Sequence, residues 1–259
     1  MKPIKSGLLF MLMTLFLVCG MHAQDEEKKY QMYSVHEDRV MPSKVMEYEK
    51  TAKMLADKMR EHKIAEGSYL ATSTDNFRYL YVTPIENMAD LDKNAGMSEL
   101  YEKMGEEDFG KMMDQFDGTY KKHGNYVIWM DKELCYMPNG ITQTPEGENF
   151  RKFWYLYFKP GDGPALREAL MEVKNTFAKK GSTSYYRVYR SGFGNMDSYF
   201  MVAAAAKDPT EMEKGGAAND ELLGEDAQVI FGKVLSNVTK MEEYTGYIRP
   251  ELGYSANQN

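Results

Sequence analysis

Gly105-Glu106-Glu107-Asp108-Phe109-Gly110-Lys111-Met112-Met113-Asp114-Gln115-Phe116 and Gly224-Glu225-Asp226-Ala227-Gln228-Val229-Ile230-Phe231-Gly232-Lys233-Val234 decide how this chain is read. Each stretch opens on a glycine followed by acidic residues. Phe109, Met112, Met113, Phe116 and Tyr120 then recur as Ala227, Ile230, Phe231, Val234 and Val238, each shifted by 118 positions. Apolar residues at i, i+3, i+4 and i+7 form one stripe on a helix, and acids in its first turn suit the positive end of the helix dipole. Two such stripes at a constant offset imply an internal duplication.

Working outward, the flanking elements repeat in the same order. Pro42-Ser43 opens an amphipathic stretch carrying Val45, Tyr48, Ala52, Leu55 and Met59; Pro164-Ala165 opens another with Leu166, Leu170, Val173 and Phe177. Strands are predicted over 30–40, 68–73, 77–82 and 125–131 in the first half, and over 153–159, 184–190, 198–206 and 242–248 in the second. The hairpin turn at Thr74-Asp75-Asn76 has its counterpart at Gly192-Phe193-Gly194-Asn195, and Asp90-Leu91-Asp92-Lys93 answers to Glu211-Met212-Glu213-Lys214. Each half thus reads β-α-β-β-α-β, an α+β arrangement of two tandem ferredoxin-like repeats. The expected boundaries are 24–137 and 150–250, with a turn-rich linker over 138–149 and a polar tail over 251–259.

Residues 153–158 and 126–130 are large and apolar on both parities, whereas a sheet with one wet face alternates. Helices cover one face of each sheet, so the sheets of the two halves are expected to face each other as a pseudo-dimeric barrel. In element order and duplication, residues 30–249 resemble a tandem version of the dimeric α/β-barrel superfamily, which includes antibiotic-biosynthesis-type monooxygenases, EthD-like and NIPSNAP-like proteins. The resemblance is at the level of fold. Members include cofactor-free oxygenases and haem-binding enzymes, but no catalytic set of theirs matches here residue by residue, and no cofactor is expected.

The first 23 residues read as a removable export signal: Lys2 and Lys5, a mostly apolar run over 7–19, then His22-Ala23 before Gln24. An exported location, periplasmic or extracellular, follows as an expectation. Lipid anchoring through Cys19 is the weaker reading, because Val18 stands where a small residue is expected. No segment reaches the ~20 apolar residues of a spanning helix. Removing 23 of 259 residues leaves 236, and loss of the two lysines takes the net charge from −7 to −9. That balance, without a concentrated basic face, argues against nucleic acid as a partner. Only Cys135 remains, so no intramolecular disulfide can form.

The chemistry-bearing residues are few. His36, followed by Glu37-Asp38 near a strand end, reads either as a surface histidine or as a general base or metal ligand. His62 and His123 stand at predicted helix ends, without HExxH, CxxC or calcium-loop spacing, so no metal site is expected. Cys135, between Leu134 and Tyr136, reads as a partly buried structural thiol at a strand's end. Four alanines at 203–206, where the matching strand has larger residues, leave room between the sheets. Trp129, Trp154, Tyr155, Tyr157, Tyr185, Arg187 and Tyr189 are the candidate residues around such a space, suited to a small apolar or aromatic ligand. Three functions stay open: a small-molecule binding module, a cofactor-independent oxygenase or isomerase acting on an aromatic or quinone-like substrate, and an envelope interaction protein. The residues specify no oligomeric state.

Overall fold

A computed structural model describes residues 28–65 and 67–256; the expected export signal, Cys19 included, lies outside them. The first half contains β1 (Tyr30–Val40), α1 (Val45–Glu61), β2 (Ser68–Thr74), β3 (Arg78–Ile85), α2 (Met97–Met104), α3 (Glu106–Met113) and β4 (Tyr120–Asp131). The second contains β5 (Phe150–Tyr157), α4 (Gly163–Lys180), β6 (Tyr186–Ser191), β7 (Tyr199–Ala206), α5 (Pro209–Leu223), α6 (Glu225–Ser236) and β8 (Lys240–Ile248), followed by a two-residue β9 (Tyr254–Ser255) that pairs with the start of β2.

Within the halves the strand neighbours are β4-β1-β3-β2 and β8-β5-β7-β6, all antiparallel. The halves then join. Ile128, Trp129 and Met130 of β4 pair with Ser191, Arg190 and Tyr189 of β6, and Thr72, Ser73 and Thr74 of β2 pair with Ile248, Tyr247 and Gly246 of β8. Among the described residues the result is one closed eight-stranded antiparallel barrel with six α-helices outside it. This corrects the expectation of two tandem ferredoxin-like repeats whose two sheets face each other as a pseudo-dimeric barrel: the strands form one continuous closed sheet. The physical reason is that each half would expose two edge strands with unpaired N–H and C=O groups, and the two seams pair them. Side chains over 126–130 and 153–158 are apolar on both parities because one parity fills the lumen and the other lies under helices.

Both seams depend on missing side chains. A Cβ on Gly192 would meet Trp129 Nε1 at 2.5 Å and the Val127 carbonyl oxygen at 2.9 Å, and one on Gly246 would collide with the Ser73 carbonyl oxygen.

The second correction concerns helices. Each β-β connection back to the last strand of a half carries two helices, not one. The helix break falls at Gly105 and Gly224, both at positive φ (83° and 56°), a region that suits glycine. The acidic openings quoted above therefore mark the start of a second helix. Upstream, Asp208 caps α5 by accepting the Glu211 amide at 2.9 Å. Downstream, α3 stops at Met113, and Tyr120 already belongs to β4.

The outer layers follow the apolar stripes. On α1, Tyr48, Ala52, Ala56 and Met59 are buried; on α4, Leu166, Leu170, Val173 and Phe177 pack over β5, β6 and β7. Pro164 enters α4 in its first turn and Gly181 ends it in the left-handed region at φ 68°. No helix among the described residues is long and apolar enough to cross a membrane.

Candidate functional site

Strand parity determines which side chains reach the lumen. On β5 the odd positions Arg151, Phe153 and Tyr155 point inward; β6 contributes Arg187 and Tyr189, β7 Tyr199, Met201 and Ala203, and β1 Val35. They surround a cavity of about 60 Å3. That is room for a few water-sized groups and falls short of the roughly 300–1,000 Å3 that a drug-sized ligand occupies. A fused ring system does not fit the lumen as it stands.

The cavity wall is apolar except at one end. There Arg151 and Arg187 are each only 2% exposed. Their hydrogen bonds run to main-chain carbonyls of the inter-half segment: Arg151 Nη1 to Glu148 (2.5 Å) and Phe150 (2.9 Å), Arg151 Nη2 to Gln143 (2.7 Å), and Arg187 Nη1 to Thr142 (2.7 Å). Arg187 Nε is buried with no acceptor. Burial, reinforced by the neighbouring Arg187 charge, pulls the Arg151 guanidinium down to about 10. Two guanidinium groups therefore share an apolar chamber with no carboxylate of the described residues hydrogen-bonded to either. Gln143 completes this end, its amide donating to the Tyr189 hydroxyl at 3.2 Å.

Four residues along β5, Tyr155 lies under Arg78, whose guanidinium carbon is 5.4 Å from the ring centre. Arg78 grips Glu37 through two bonds of 2.9 and 2.7 Å, and the Tyr126 hydroxyl donates to the same carboxylate at 3.0 Å. Burial works against the Glu37 charge, but the Arg78 hydrogen bond and charge outweigh it and hold the carboxyl below its usual value. This second polar cluster is thus internally compensated, unlike the first.

Of the candidates read from sequence, Tyr155, Arg187 and Tyr189 line the cavity. Tyr157 lies beside the lumen cluster, its hydroxyl donating to Glu242 at 2.7 Å. Tyr185 is bound to the Glu148 carboxylate and does not reach the cavity. Trp154 faces outward, its indole N–H on Glu243 at 2.7 Å. Trp129 also faces outward, edge-on to Tyr30 at 6.2 Å. His36 is on the outer face of β1, with Nδ1 on Asn125 Oδ1 at 2.9 Å; the Asp38 carboxylate beside it raises the imidazole above its usual value, with burial opposing. Arg151, Gln143, Tyr126 and Tyr199 were not among the candidates. Arg151 has the parity of Phe153 and Tyr155, so the same strand register points to it; Gln143 lies in an irregular segment with no periodicity to read.

No family model matches the chain, and no curated protein matches it in sequence. Solved structures do match in fold. An anthrone oxidase-like protein superposes with a TM-score of 0.57 at 16% identity, covering 86% of this chain and 92% of that one. A putative monooxygenase from Fusobacterium nucleatum gives 0.52 at 9% identity, covering 85% and 93%. A putative monooxygenase from Lactobacillus acidophilus gives 0.50 at 8% identity, covering 87% and 96%. These are proteins of the dimeric α/β-barrel superfamily, and at such identities the likeness is one of fold.

Proposed function

We propose that this dimeric α/β-barrel-type chain binds a small organic anion in its lumen, the anionic group on Arg187 and Arg151 and the apolar body against Phe153, Tyr155 and Met201. One observation carries the reading: two arginines, each 2% exposed, border a cavity with no carboxylate bonded to either. A buried charge that keeps only carbonyl partners is costly, and an entering carboxylate offsets that cost with charge-assisted bonds. A volume of about 60 Å3 favours a short aliphatic acid over an aromatic one, since a benzene-sized ring occupies a cavity of about 150 Å3. The chain is further proposed to act outside the cytoplasm after cleavage before Gln24, which sequencing the N-terminus of the mature protein checks.

The test is calorimetric titration with acetate and propionate beside acetamide and propionamide, their neutral counterparts of similar shape. The carboxylates are expected to bind and the amides not, and Arg187→Met to abolish carboxylate binding while the protein stays folded. Equal affinity for carboxylate and amide, or no binding of any small carboxylate in a screen by thermal shift, refutes the assignment.

A further inference from the structure

The antiparallel register of β1 and β4 sets Asp38 directly opposite His123 and His36 directly opposite Asn125. All four therefore point to one side of the sheet, the outer side, away from Glu37 and the lumen. Residues 87 positions apart thus meet as two imidazoles and a carboxylate, and one donor atom from each of His36, Asp38 and His123 lies within 4.8 Å of the others. His36 Nε2 is 3.2 Å from Asp38 Oδ1. Two donors on a tetrahedral ion, each at about 2.0–2.1 Å, stand about 3.3 Å apart, so this pair is already at ligand separation. The two imidazole rings are perpendicular, with centres 5.9 Å apart.

A second, independent observation points to an occupant. Asp38 is only 5% exposed, and among the described residues its buried Oδ1 has no polar neighbour at bonding distance but the His36 Nε2, which reaches it only if the imidazole carries a proton there. Its other oxygen accepts from the Tyr48 hydroxyl at 2.6 Å, and Tyr48 is in turn 2.9 Å from the Tyr81 hydroxyl. A buried carboxylate oxygen needs a positive group beside it, a proton on His36 Nε2 or a cation held between the two, because leaving it without one costs more than an ordinary hydrogen bond contributes. On the histidine, Nδ1 is 2.9 Å from the Asn125 side-chain oxygen; in the neutral tautomer that donates there, the lone pair is on Nε2, toward Asp38. Two lone pairs then converge where a positive charge belongs. The outer hydrogen bonds, from Tyr48 to Asp38 and from His36 to Asn125, are of the kind that orient metal-binding side chains.

We propose that His36, Asp38 and His123 form a binding site for a divalent first-row transition-metal ion on the outer face of the barrel. Two imidazole nitrogens and one carboxylate oxygen suit zinc or cobalt, with water completing the shell because His123 is exposed. The site lies across the sheet from the lumen and is independent of the anion reading. It ties β1 to β4 and leaves coordination positions open to solvent.

The test is titration of the untagged, chelator-treated full chain with Co(II), followed in the visible spectrum, and with Zn(II) by calorimetry. One ion per chain is expected, with d–d absorption of a low-coordinate cobalt site and a rise in melting temperature in zinc. His123→Gln, at an exposed position that does not threaten folding, should weaken affinity by more than about 100-fold, and Asn125→Ala by about 10- to 100-fold. Failure to bind one equivalent of either metal, or binding that His123→Gln leaves unchanged, overturns the assignment.

Discussion

Gly246 lies so close to the Ser73 main chain that there is no room for a Cβ, and the Thr74 Cα would be 3.1 Å from that atom as well. These residues sit in the β2–β8 ladder, where Thr74 pairs with Gly246 and the first half meets the second. Gly246→Ala must push the seam apart, because the obstacle is backbone and not a side chain that can turn away. The expected cost is on the order of 3 kcal/mol. Gly232→Ala, inside α6 where a Cβ meets nothing within 4 Å, should instead stabilise by about 0.5–1 kcal/mol. Denaturant midpoints of the two variants read the contrast; a Gly246→Ala protein as stable as the parent contradicts the seam argument.

Arg187 offers a different sign. Its charge is buried beside Arg151 with carbonyl partners only, so removing the charge while keeping the volume should not weaken the empty protein. Arg187→Met is expected to leave stability unchanged or to raise it by about 1 kcal/mol, as apolar replacement of costly buried charge does elsewhere. Chemical denaturation without ligand measures this. A loss above about 2 kcal/mol would mean that the charge is already compensated in the empty barrel, which removes the main support for anion binding.

The duplication was legible because helix stripes repeat at one offset, and strand positions were legible because apolar runs are bounded by turns. Closure was not. Whether β4 pairs with β6 depends on Gly192 letting Trp129 approach, a contact between residues that no local pattern links. The four alanines at 203–206 suggested a roomy interior, yet tyrosines from neighbouring strands fill much of it: Tyr199 lies 5.1 Å from Tyr155 and Tyr33 lies 6.0 Å from Tyr189, ring centre to ring centre. The His36–Asp38–His123 cluster stayed hidden for a related reason. His123 reads as the end of a helix, but β4 begins at Tyr120, and only strand register brings it opposite Asp38.

Cys135 is a buried thiol whose sulfur donates to the Asp131 carbonyl and accepts from the Val188 amide, each at 3.3 Å. Burial pushes the thiol up to about 11. At pH 8 the folded protein holds almost no thiolate there, and iodoacetamide should leave it unlabelled until denaturant exposes it. The linkage sign follows from the same shift. Between about pH 9 and 11 the unfolded chain has released this proton and the folded chain has not, so the thiol's contribution to stability falls as pH rises through that window. Labelling read by intact mass, native against denatured, checks the first statement; rapid native labelling at pH 8 would show the thiol to be exposed.

Glu49 on α1 and Arg249 after β8 form a two-bond ion pair, Nη1 to Oε1 at 2.5 Å and Nη2 to Oε2 at 2.9 Å, across 200 residues of chain. The Arg249 hydrogen bond holds the Glu49 carboxyl below its usual value, although partial burial opposes this. A carboxyl with a depressed folded pKa stabilises above its unfolded value, near 4.3, and loses that contribution as pH falls through the folded one. Arg249→Met should therefore cost about 1 kcal/mol near pH 7, the pair being partly exposed, and the gap to the parent should narrow below about pH 4. Urea unfolding at pH 7 and pH 3 measures both gaps. A difference of equal size at the two pH values would assign the loss to packing of the arginine stem and not to its charge.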